Sequence, residues 1–518
     1  MMVRIGVLIT FIVLTCQSFA QQNWLPIGSF YKDQLLSNKL NKPYNEGSFF
    51  PASEAVADLI PAIIDSTPRY YTLTHILYQK HLFEINGKDA YITISPTANI
   101  SLGKDFGDTN DRNLLHNTRG VHVEGDLFKK FSFSTSFYEN QARFSPYETN
   151  YYASVGEHYP TSDSTYNIQN AVIPGAGRTK DFKNDGFDYA YAVGYFVYAP
   201  IKSLRISGGN NTQFVGDGHR SLLLSDNSYS APYARIDWPM SPKLNFTYYR
   251  SRQINLLRRS ATSSAEAYYE TKGYSVNYLT FKPNEKSSVS LFEGSVWNRG
   301  DDSISRFSHP LYYNPVPLAS GLILKDKDEV TTLLGLNVNY QLADKHRVYG
   351  QFIINDFDGS KMGYQVGYRG YNYFGLNDLM LQIEHNSVPS GVYESSNRRR
   401  NYAHYNLPLA HSKGSGFNEF ILRANYEVQK FYVDLSSILY LTKGYSSTGH
   451  LVVNNDVELS DETIFYQRVE LGYRFNRKMN LKTFLAWRLR STTASNAQTA
   501  NVIEFGFRTA ITNHYNDF

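Results

Sequence analysis

Long stretches of the chain alternate between apolar and polar residues with a period of two. Residues 468–474 read RVELGYR, and residues 503–508 read IEFGFR. Because successive side chains of a β-strand point to opposite faces, each of these segments forms a strand with one apolar and one charged face. The segments run about ten residues, the length of a tilted strand that spans a bilayer. The pattern therefore predicts membrane-spanning β-strands.

About eighteen such segments follow one another, an even number that is typical of bacterial single-chain barrels. They lie near Ala90, Gly120, Phe131, Gly186, Ser203, Pro232, Lys243, Tyr268, Ser288, Thr331, His346, Lys361, Leu376, Asn418, Phe431, Thr463, Met479 and Ala500. No stretch after Ala20 approaches eighteen consecutive apolar residues, so a membrane-spanning helix is not expected there. We predict an all-β fold, a transmembrane antiparallel β-barrel of about 18 strands, over residues 90–518.

The links between the predicted strands alternate in length. Short links include residues 200–202 and 427–430, whereas long links run over roughly 140–185 and 386–417. Tight turns at one rim and long loops at the other are typical of outer-membrane barrels, whose tight turns face the periplasm. We therefore expect the long loops at the cell surface.

The first residues predict export. Arg4 precedes an apolar run over residues 5–14 and a small-residue exit at Ser18–Ala20, which are the features of a secretory signal peptide over residues 1–20. A lipid-attachment site at Cys16 is the weaker alternative. The outer membrane is the expected location.

Residues 21–89 differ from the rest of the chain. Residues 52–64 have helical content, with Ser53 as a possible N-cap and an interruption at Pro61. We predict a small, partly helical segment that lies in the periplasm or plugs the barrel. An extension that packs on the rim is the alternative.

Composition narrows the function classes. The chain holds 42 Tyr and 32 Phe, and such rings are favoured at bilayer interfaces and as faces on which sugars stack. The formal net charge of +4 is small for this length, so no nucleic-acid partner is predicted. The single cysteine is Cys16, and the 13 histidines lack a ligand spacing, so no metal or cofactor is predicted.

The most distinctive stretch is FVGDGHRSLLLSDN, residues 214–227. Gly216 and Gly218 permit backbone conformations that are closed to other residues, so this block can form a tight, ordered loop. It brings together the polar side chains of Asp217, His219, Arg220 and Asp226. They form either a cluster that contacts glycan or the lumen, or a salt-bridged loop that closes the barrel, which we favour.

Residues 216–227, followed by an aromatic residue and Pro232–Tyr233, resemble the signature of the capsule-assembly (Wzi-like) outer-membrane family. The resemblance is closest to the RemB-type gliding-motility branch of that family. With the N-terminal segment and the strand number, it covers nearly the whole chain. It implies an eighteen-stranded barrel, a periplasmic helical portion and a role in attaching capsular or extracellular polysaccharide to the cell surface. It assigns no polysaccharide-contacting residues beyond this block.

The same block does not predict a hydrolase. Asp217 and His219 lie near Ser221 and Ser225 in sequence. A catalytic triad needs a base within hydrogen-bond reach of the nucleophile and an acid that orients the base, and sequence proximity supplies neither. We predict no enzyme activity.

Two further groups of basic residues stand out. The inferred lumen face of the last strands carries Arg423, Arg468, Arg474, Arg488 and Arg508. Such a wall attracts acidic sugars or favours anions in a pore, unless its arginines pair with carboxylates of the plug or loops. A long loop holds Arg398, Arg399, Arg400 and Tyr402, a group that suits anionic glycan, although a solvated charged loop is the commoner explanation.

The sequence thus favours a non-catalytic protein that attaches or assembles polysaccharide at the cell surface, with gliding motility or adhesion as a consequence. Its polysaccharide-binding residues would be Asp217, His219, Arg220, Asp226, Arg398, Arg399, Arg400 and Tyr402. Its expected partners are outer-membrane lipid, capsular or extracellular polysaccharide and other envelope proteins. A diffusion channel or transporter, and an accessory subunit of a secretion or gliding machine, are the alternatives.

Overall fold

The computed structural model describes residues 32–33, 48–51, 71–78, 81–128, 130–160, 166–183, 185–201, 203–258, 269–299, 313–324, 330–445, 458–477, 479–493, 499–509 and 515–518. Within these residues, eighteen strands pair in sequence order and form one closed antiparallel barrel.

The barrel strands are β1 (Ala90–Asp105), β2 (Asn113–Leu127), β3 (Phe131–Arg143), β4 (Gly186–Ile201), β5 (Leu204–Asn211), β6 (Ala231–Ser241), β7 (Leu244–Arg258), β8 (Tyr269–Asn284), β9 (Ser287–Asn298), β10 (Val330–Ala343), β11 (His346–Asn355), β12 (Met362–Tyr371), β13 (Met380–Val388), β14 (Phe417–Val428), β15 (Phe431–Tyr445), β16 (Glu458–Asn476), β17 (Leu481–Thr492) and β18 (Ala500–Thr509).

The first and last strands close the barrel. Strand β18 pairs with β1 from Val502, opposite Asp105, to Arg508, opposite Asn99. Every barrel strand therefore has a hydrogen-bonded neighbour on each side, so the wall satisfies its backbone N–H and C=O groups without water. A closed sheet with an even number of strands is the architecture of outer-membrane barrels.

Each of the eighteen predicted positions lies within one strand or at most four residues before it. Strand β2 already begins at Asn113, ahead of Gly120, and β16 begins at Glu458, ahead of Thr463, whereas β13 begins only at Met380, after Leu376. The start of β2 carries polar residues on both faces, so its alternation is weak there. Residues Tyr373–Gly375 form a 3₁₀ turn, which delays the start of β13.

The connections divide between two rims. Tight turns, such as residues 242–243, lie at the short-turn rim, and long connections, such as 144–185 and 389–416, lie at the long-loop rim. The predicted alternation of lengths holds along much of the barrel. At the long-loop rim, however, the links 106–112, 356–361 and 493–499 are short, and at the short-turn rim the link 372–379 is long.

The two faces of the wall differ as the period of two predicts. Leu485 and Phe505 point outward and are 52% and 58% exposed. Ala486, Arg488 and Val502 point inward and are buried. Apolar side chains thus cover this part of the outside, and charged groups are kept on the inside, as a lipid environment requires.

The described part of the N-terminal region reaches the short-turn rim. Helix α1 (Thr72–Tyr78) lies there, and Asn476 donates a hydrogen bond of 3.0 Å to the carbonyl oxygen of Ile76. The short strand Phe83–Asn86 pairs with the start of β1. None of the described helices is long and apolar enough to cross a membrane.

Other N-terminal residues enter the lumen. The strand Phe49–Phe50 pairs with Phe214–Val215, and the Nζ atom of Lys32 donates a hydrogen bond of 2.6 Å to the carbonyl oxygen of Gly218. Lys32, Phe49 and Phe50 thus lie inside the lumen, whereas α1 packs against the short-turn rim. The predicted helical content of residues 52–64 and the predicted signal peptide of residues 1–20 lie outside the described residues.

Protein fills much of the lumen. The connections 144–185, 212–230 and 389–416, which we name the lumen loops, bury Leu222 and Tyr402 against inward side chains of the wall. Their elements are α2 (Pro146–Ser154), the strands Glu157–Pro160, Tyr166–Gln169, Val172–Ile173, Gly177–Arg178, Lys180–Phe182, Phe214–Val215, Ala403–His404 and Leu407–Pro408, and the 3₁₀ turn Arg398–Arg400. An apolar core therefore lies inside the barrel. Helix α3 (Ala319–Leu324) belongs to another long connection, between β9 and β10.

Strand packing predicts the effect of enlarging Gly120. A Cβ atom at this position would lie 2.1 Å from the carbonyl oxygen of Phe137 and 2.4 Å from the Oγ1 atom of Thr97. We expect Gly120→Val to destabilise the barrel by roughly 1–3 kcal/mol, because two paired strands must move apart. The temperature at which the band of the folded barrel disappears in gel electrophoresis measures this change.

Gly359 provides the matched control, since a Cβ atom there would meet nothing within 4 Å. Gly359→Val should change the unfolding free energy by less than about 0.5 kcal/mol. Equal stability of the two variants would contradict the packing of β2 against β3.

Candidate functional site

The glycine-rich block crosses the lumen. The backbone N–H of Gly216 donates to the carbonyl oxygen of Ser48 at 2.7 Å. Gly216 has a φ of +133°, and a Cβ atom there would lie 2.3 Å from the Nε2 atom of Gln351. Both the conformation and the close approach of Gln351 therefore require glycine at this position.

Three leucines of the block form the centre of the lumen core. Leu222, Leu223 and Leu224 are buried. The hydroxyl groups of Tyr393 and Tyr402 donate to the carbonyl oxygens of Leu222 and Leu223, each at 2.8 Å. These bonds satisfy backbone groups that have no strand partner, so the block is held as a packed layer across the barrel.

Arg220 joins the block to the wall. Its Nε atom lies 3.1 Å from Glu419, its Nη2 atom donates to the hydroxyl of Tyr440 at 2.9 Å, and it forms a salt bridge with Asp517. Burial works to lower the pKa of Arg220, but Asp517, Tyr440 and Glu419 hold that pKa well above its ordinary value. Arg220 therefore stays charged and fastens the loop to β14 and to residues 515–518.

The other predicted polar residues of the block are also drawn inward. Asp217 accepts hydrogen bonds from Ser48 at 2.7 Å and from Asn339 at 2.8 Å, and Asp226 accepts one from Tyr515 at 2.6 Å. Burial lowers the pKa of His219 well below its ordinary value, and nearby arginines and Lys32 add to the effect. The block has the geometry of a loop that closes the barrel.

The serines of the block serve its backbone. The hydroxyl of Ser221 donates to the carbonyl oxygen of Val215 at 2.5 Å, and the hydroxyl of Ser225 donates to the carbonyl oxygen of Ala410. Among the described residues, no group of three or more histidine, cysteine, aspartate or glutamate side chains is placed to hold a metal ion.

The predicted basic loop cluster divides into an inner and an outer part. Arg400 and Tyr402 are buried, and Tyr402 belongs to the lumen core. The side chain of Arg399 is 37% exposed and lies 3.2 Å from Glu270, and Arg398 is half-buried beside it. Only the outer part is placed to meet a polymer that approaches from the long-loop rim.

The five arginines predicted for the lumen face point inward, and their charges are paired. Arg423 lies 3.0 Å from Asp33, and Arg488 lies 2.6 Å from Glu148 of α2. Arg474 lies 3.3 Å from Glu427, and both Arg468 and Arg508 contact Glu470. The alternative interpretation, pairing with carboxylates of the plug and loops, therefore describes Arg423 and Arg488, whereas the others pair within the wall.

A cavity of about 270 Å³ remains between these arginines and the plug residues Lys32 and Asp33. Eight cationic and five anionic residues line it: Lys32, Arg369, Arg423, Arg468, Arg474, Lys482, Arg488 and Arg508 against Asp33, Asp434, Glu470, Glu504 and Asp517. An excess of positive charge around such a cavity favours anions.

A second charged group, which the sequence does not reveal, lies near the long-loop rim. Glu157 is buried, with Arg178 at 3.0 Å, and it accepts hydrogen bonds from Asn170 at 2.9 Å and from Tyr269 at 2.5 Å. Arg258 also contacts it. Burial alone would raise the pKa of Glu157, but these hydrogen bonds hold it below its ordinary value.

We name Arg178, Arg258 and Arg399 the arginine rim. The guanidinium carbon of Arg258 lies 5.0 Å from the ring centroids of both Tyr159 and Tyr269. Arg258 and Tyr269 stand at the rim ends of the neighbouring strands β7 and β8, whereas Arg178 and Arg399 come from two different lumen loops. Sequence reasoning missed Arg178 and Arg258 because only folding brings these segments together.

No protein-family model matches the sequence, and no curated protein matches it. Among solved structures, Wzi of Escherichia coli, an outer-membrane protein involved in group 1 capsule assembly and a carbohydrate-binding β-barrel, is similar with a TM-score of 0.55 and 11% identity. The similarity covers 93% of this chain and 98% of Wzi.

Two structures from Pseudomonas aeruginosa are similar at lower scores. OccK2 (OpdF), in complex with glucuronate, has a TM-score of 0.43 and 8% identity over 80% of this chain and 97% of its own. OpdK with vanillate has a TM-score of 0.42 and 11% identity over 82% of this chain and 98% of its own. At these identities the similarity shows the fold alone, which is that of an outer-membrane β-barrel.

The lumen loops give the protein a predictable response to acid. The Nδ1 atom of His404 accepts a hydrogen bond of 2.9 Å from the N–H of Ile254, so this nitrogen is unprotonated. Burial lowers the pKa of His404 from 6.5 to about 3. Between these values the unfolded chain binds a proton that the folded protein excludes, so stability falls as the pH falls below about 6.5.

Replacing His404 tests this relation. Lowering the pH from about 8 to about 5 should cost the wild type about 2 kcal/mol more unfolding free energy than His404→Asn, which lacks the titrating group. Urea unfolding of the detergent-solubilised protein at both pH values measures the difference. The remaining histidines are common to both proteins. Equal losses in the two proteins would contradict the burial of a neutral His404.

Proposed function

We propose that this protein is a non-catalytic outer-membrane barrel that attaches or assembles capsular or extracellular polysaccharide at the cell surface. The observation that carries this proposal is the packed layer across the lumen, in which Leu222, Leu223 and Leu224 lie among tyrosines of the lumen loops. Such a layer directs binding to the long-loop surface rather than to a through-going channel.

The arginine rim supplies the chemistry for an anionic polymer. Guanidinium groups present several N–H donors in one plane and bind carboxylates in pairs of hydrogen bonds. The ring of Tyr159 beside Arg258 provides a flat apolar face of the kind that packs against a sugar. A polymer with carboxylated sugars is therefore the class of ligand that fits this surface.

The buried residues of the glycine-rich block have a different place in this proposal. Asp217, His219, Arg220 and Asp226 hold the lumen loops in position, and their direct contact with polysaccharide stays a prediction. The same applies to Arg400 and Tyr402, whereas Arg398 and Arg399 stand at the surface. The structural similarity to Wzi, itself named as a carbohydrate-binding barrel, supports the proposal.

Gliding motility or adhesion would follow from polymer held at the surface, as in the RemB-type resemblance. Other envelope proteins would be partners in that role. Because most of the lumen loops are buried, such partners would bind at the rims.

A second candidate function is the passage of small anions. The 270 Å³ cavity and its excess of cationic residues favour it. Conductance in planar bilayers separates the two functions, because steady open currents require a continuous aqueous path. We expect the wild-type barrel to remain closed.

Removal of the protein from cells tests the attachment role. Deletion should release polysaccharide into the medium while total polymer stays the same, because synthesis does not depend on an anchoring barrel. Assays of cell-bound and released polymer measure the two fractions. Unchanged cell-bound polymer would contradict the proposed function.

A double variant tests the arginine rim itself. Arg178→Ala with Arg399→Ala should weaken binding of purified polymer by about tenfold or more, since a hydrogen bond to a charged group contributes about 1.5–3 kcal/mol and about 1.4 kcal/mol corresponds to tenfold. Lys286→Ala with Lys282→Ala removes the same charge at the short-turn rim and serves as the control. If the control pair weakened binding equally, the effect would be one of net charge rather than of the arginine rim.

A further inference from the structure

Three polar side chains stand on the outer face of the barrel. Asn277 lies between Val276 and Tyr278, which point into the lumen core, and it therefore points outward. Glu293 follows inward-facing Phe292 on the neighbouring strand, and Arg250 follows inward-facing Tyr249. All three are nonetheless buried. Something on the outside of the wall must cover them.

Strand register places these residues within the apolar band. Toward the short-turn rim, the nearest outward row of these strands consists of Phe246, Leu279, Leu291 and Leu336, and the next row includes Phe281, Val289 and Val338. Rows are about 5 Å apart along the barrel axis, and an apolar band about 25 Å tall spans about five of them. If the row of Phe281 is counted as the first, Asn277 and Glu293 lie in the third row and Arg250 lies in the fourth.

Residues 313–324, which we name the outer strap, cover this patch. They belong to the long connection between β9 and β10 and include α3. The carbonyl oxygen of Asn314 accepts hydrogen bonds from Arg250 at 2.9 Å and from Asn277 at 3.4 Å. The ring of Tyr313 packs edge-on against outward-facing Trp297, with ring centroids 6.2 Å apart. The strap therefore lies against the outside of the wall.

The wall satisfies the backbone of the strap. Glu293 accepts a hydrogen bond of 2.8 Å from the N–H of Leu318, and Tyr248 donates one of 2.7 Å to the carbonyl oxygen of Tyr313. Pro315 and Pro317 have no N–H to satisfy. Irregular backbone is excluded from hydrocarbon unless its polar groups are paired, and here outward polar side chains of the wall pair them.

The free face of the strap is apolar. Val316, Leu322 and Ile323 are 57%, 58% and 54% exposed, close to the exposure of lipid-facing Leu485 and Phe505 on the uncovered side of the barrel. The strap thus continues the apolar band over a part of the wall that is polar. Covering polar wall residues with an apolar segment is favourable when the segment faces hydrocarbon. Water or a hydrated polymer would not favour it.

We propose that the outer strap is embedded in the bilayer and that Val316, Leu322 and Ile323 contact lipid acyl chains. The occupant of this face is hydrocarbon. Arg250, Asn277 and Glu293 anchor the strap by pairing with its backbone, and the strap in turn removes their charge and polarity from the lipid. The proposal depends on the barrel alone and stands independently of polysaccharide attachment.

Spin labels on the full chain in lipid vesicles test the proposal. Because Cys16 is the single cysteine, a Cys16→Ser background leaves one label per variant. A nitroxide at Ile323→Cys should relax more with molecular oxygen than with a water-soluble nickel chelate, as at Leu336→Cys on the bare wall. Lys286→Cys, on a short turn, should show the reverse order. The ratio of the two accessibilities is the measured quantity.

The other outcomes overturn the proposal. Greater accessibility to the nickel chelate at Ile323 would place the strap in water, and low accessibility to both reagents would mean that protein, such as a second copy of the chain, covers it. A second variant, Glu293→Leu, removes the acceptor for the N–H of Leu318. It should raise the nickel accessibility of the Ile323 label while leaving the Leu336 label unchanged, and an unchanged Ile323 label would refute the anchoring.

Discussion

The hydrogen-bonded seam between β1 and β18 is the constraint on which the other features depend. A sheet that closes on itself has a partner for every strand, and only closure allows a sheet to stand in hydrocarbon. Closure also separates side chains into those that meet lipid and those that meet the interior. The lumen core, its ion pairs and the lumen loops all lie on the interior side of the wall.

A protein core lies in the interior of this barrel. Leu222 and its neighbours pack among tyrosines, while Arg220, Arg423 and Arg488 each pair with a carboxylate from another part of the chain. These three buried charges are tolerated because each cation has a carboxylate close by. The result is a rigid frame for the long loops, on which the arginine rim is displayed.

Polar groups on the outside follow the same rule by different means. Arg250 and Glu293 point toward lipid, but a segment of the chain itself covers them. The lumen loops and the outer strap are therefore comparable solutions, since both bring backbone of long connections to polar side chains of the wall. In each case, buried polar side chains of the wall form hydrogen bonds with backbone groups of a long connection.

The sequence by itself determined the barrel, since alternation is local: the pattern around Leu471 and Phe505 assigns each side chain to a face before any partner is known. It also determined that residues 216–227 form a special loop, because Gly216 admits a conformation that few other residues adopt. Only the tertiary structure decided what those residues contact. Arg220 and Asp517, which form a pair, are nearly three hundred positions apart in the sequence. The outward-facing Arg250 finds its hydrogen-bond partner only because the outer strap lies over it. Contacts between distant segments depend on closure and loop packing, which no local pattern encodes.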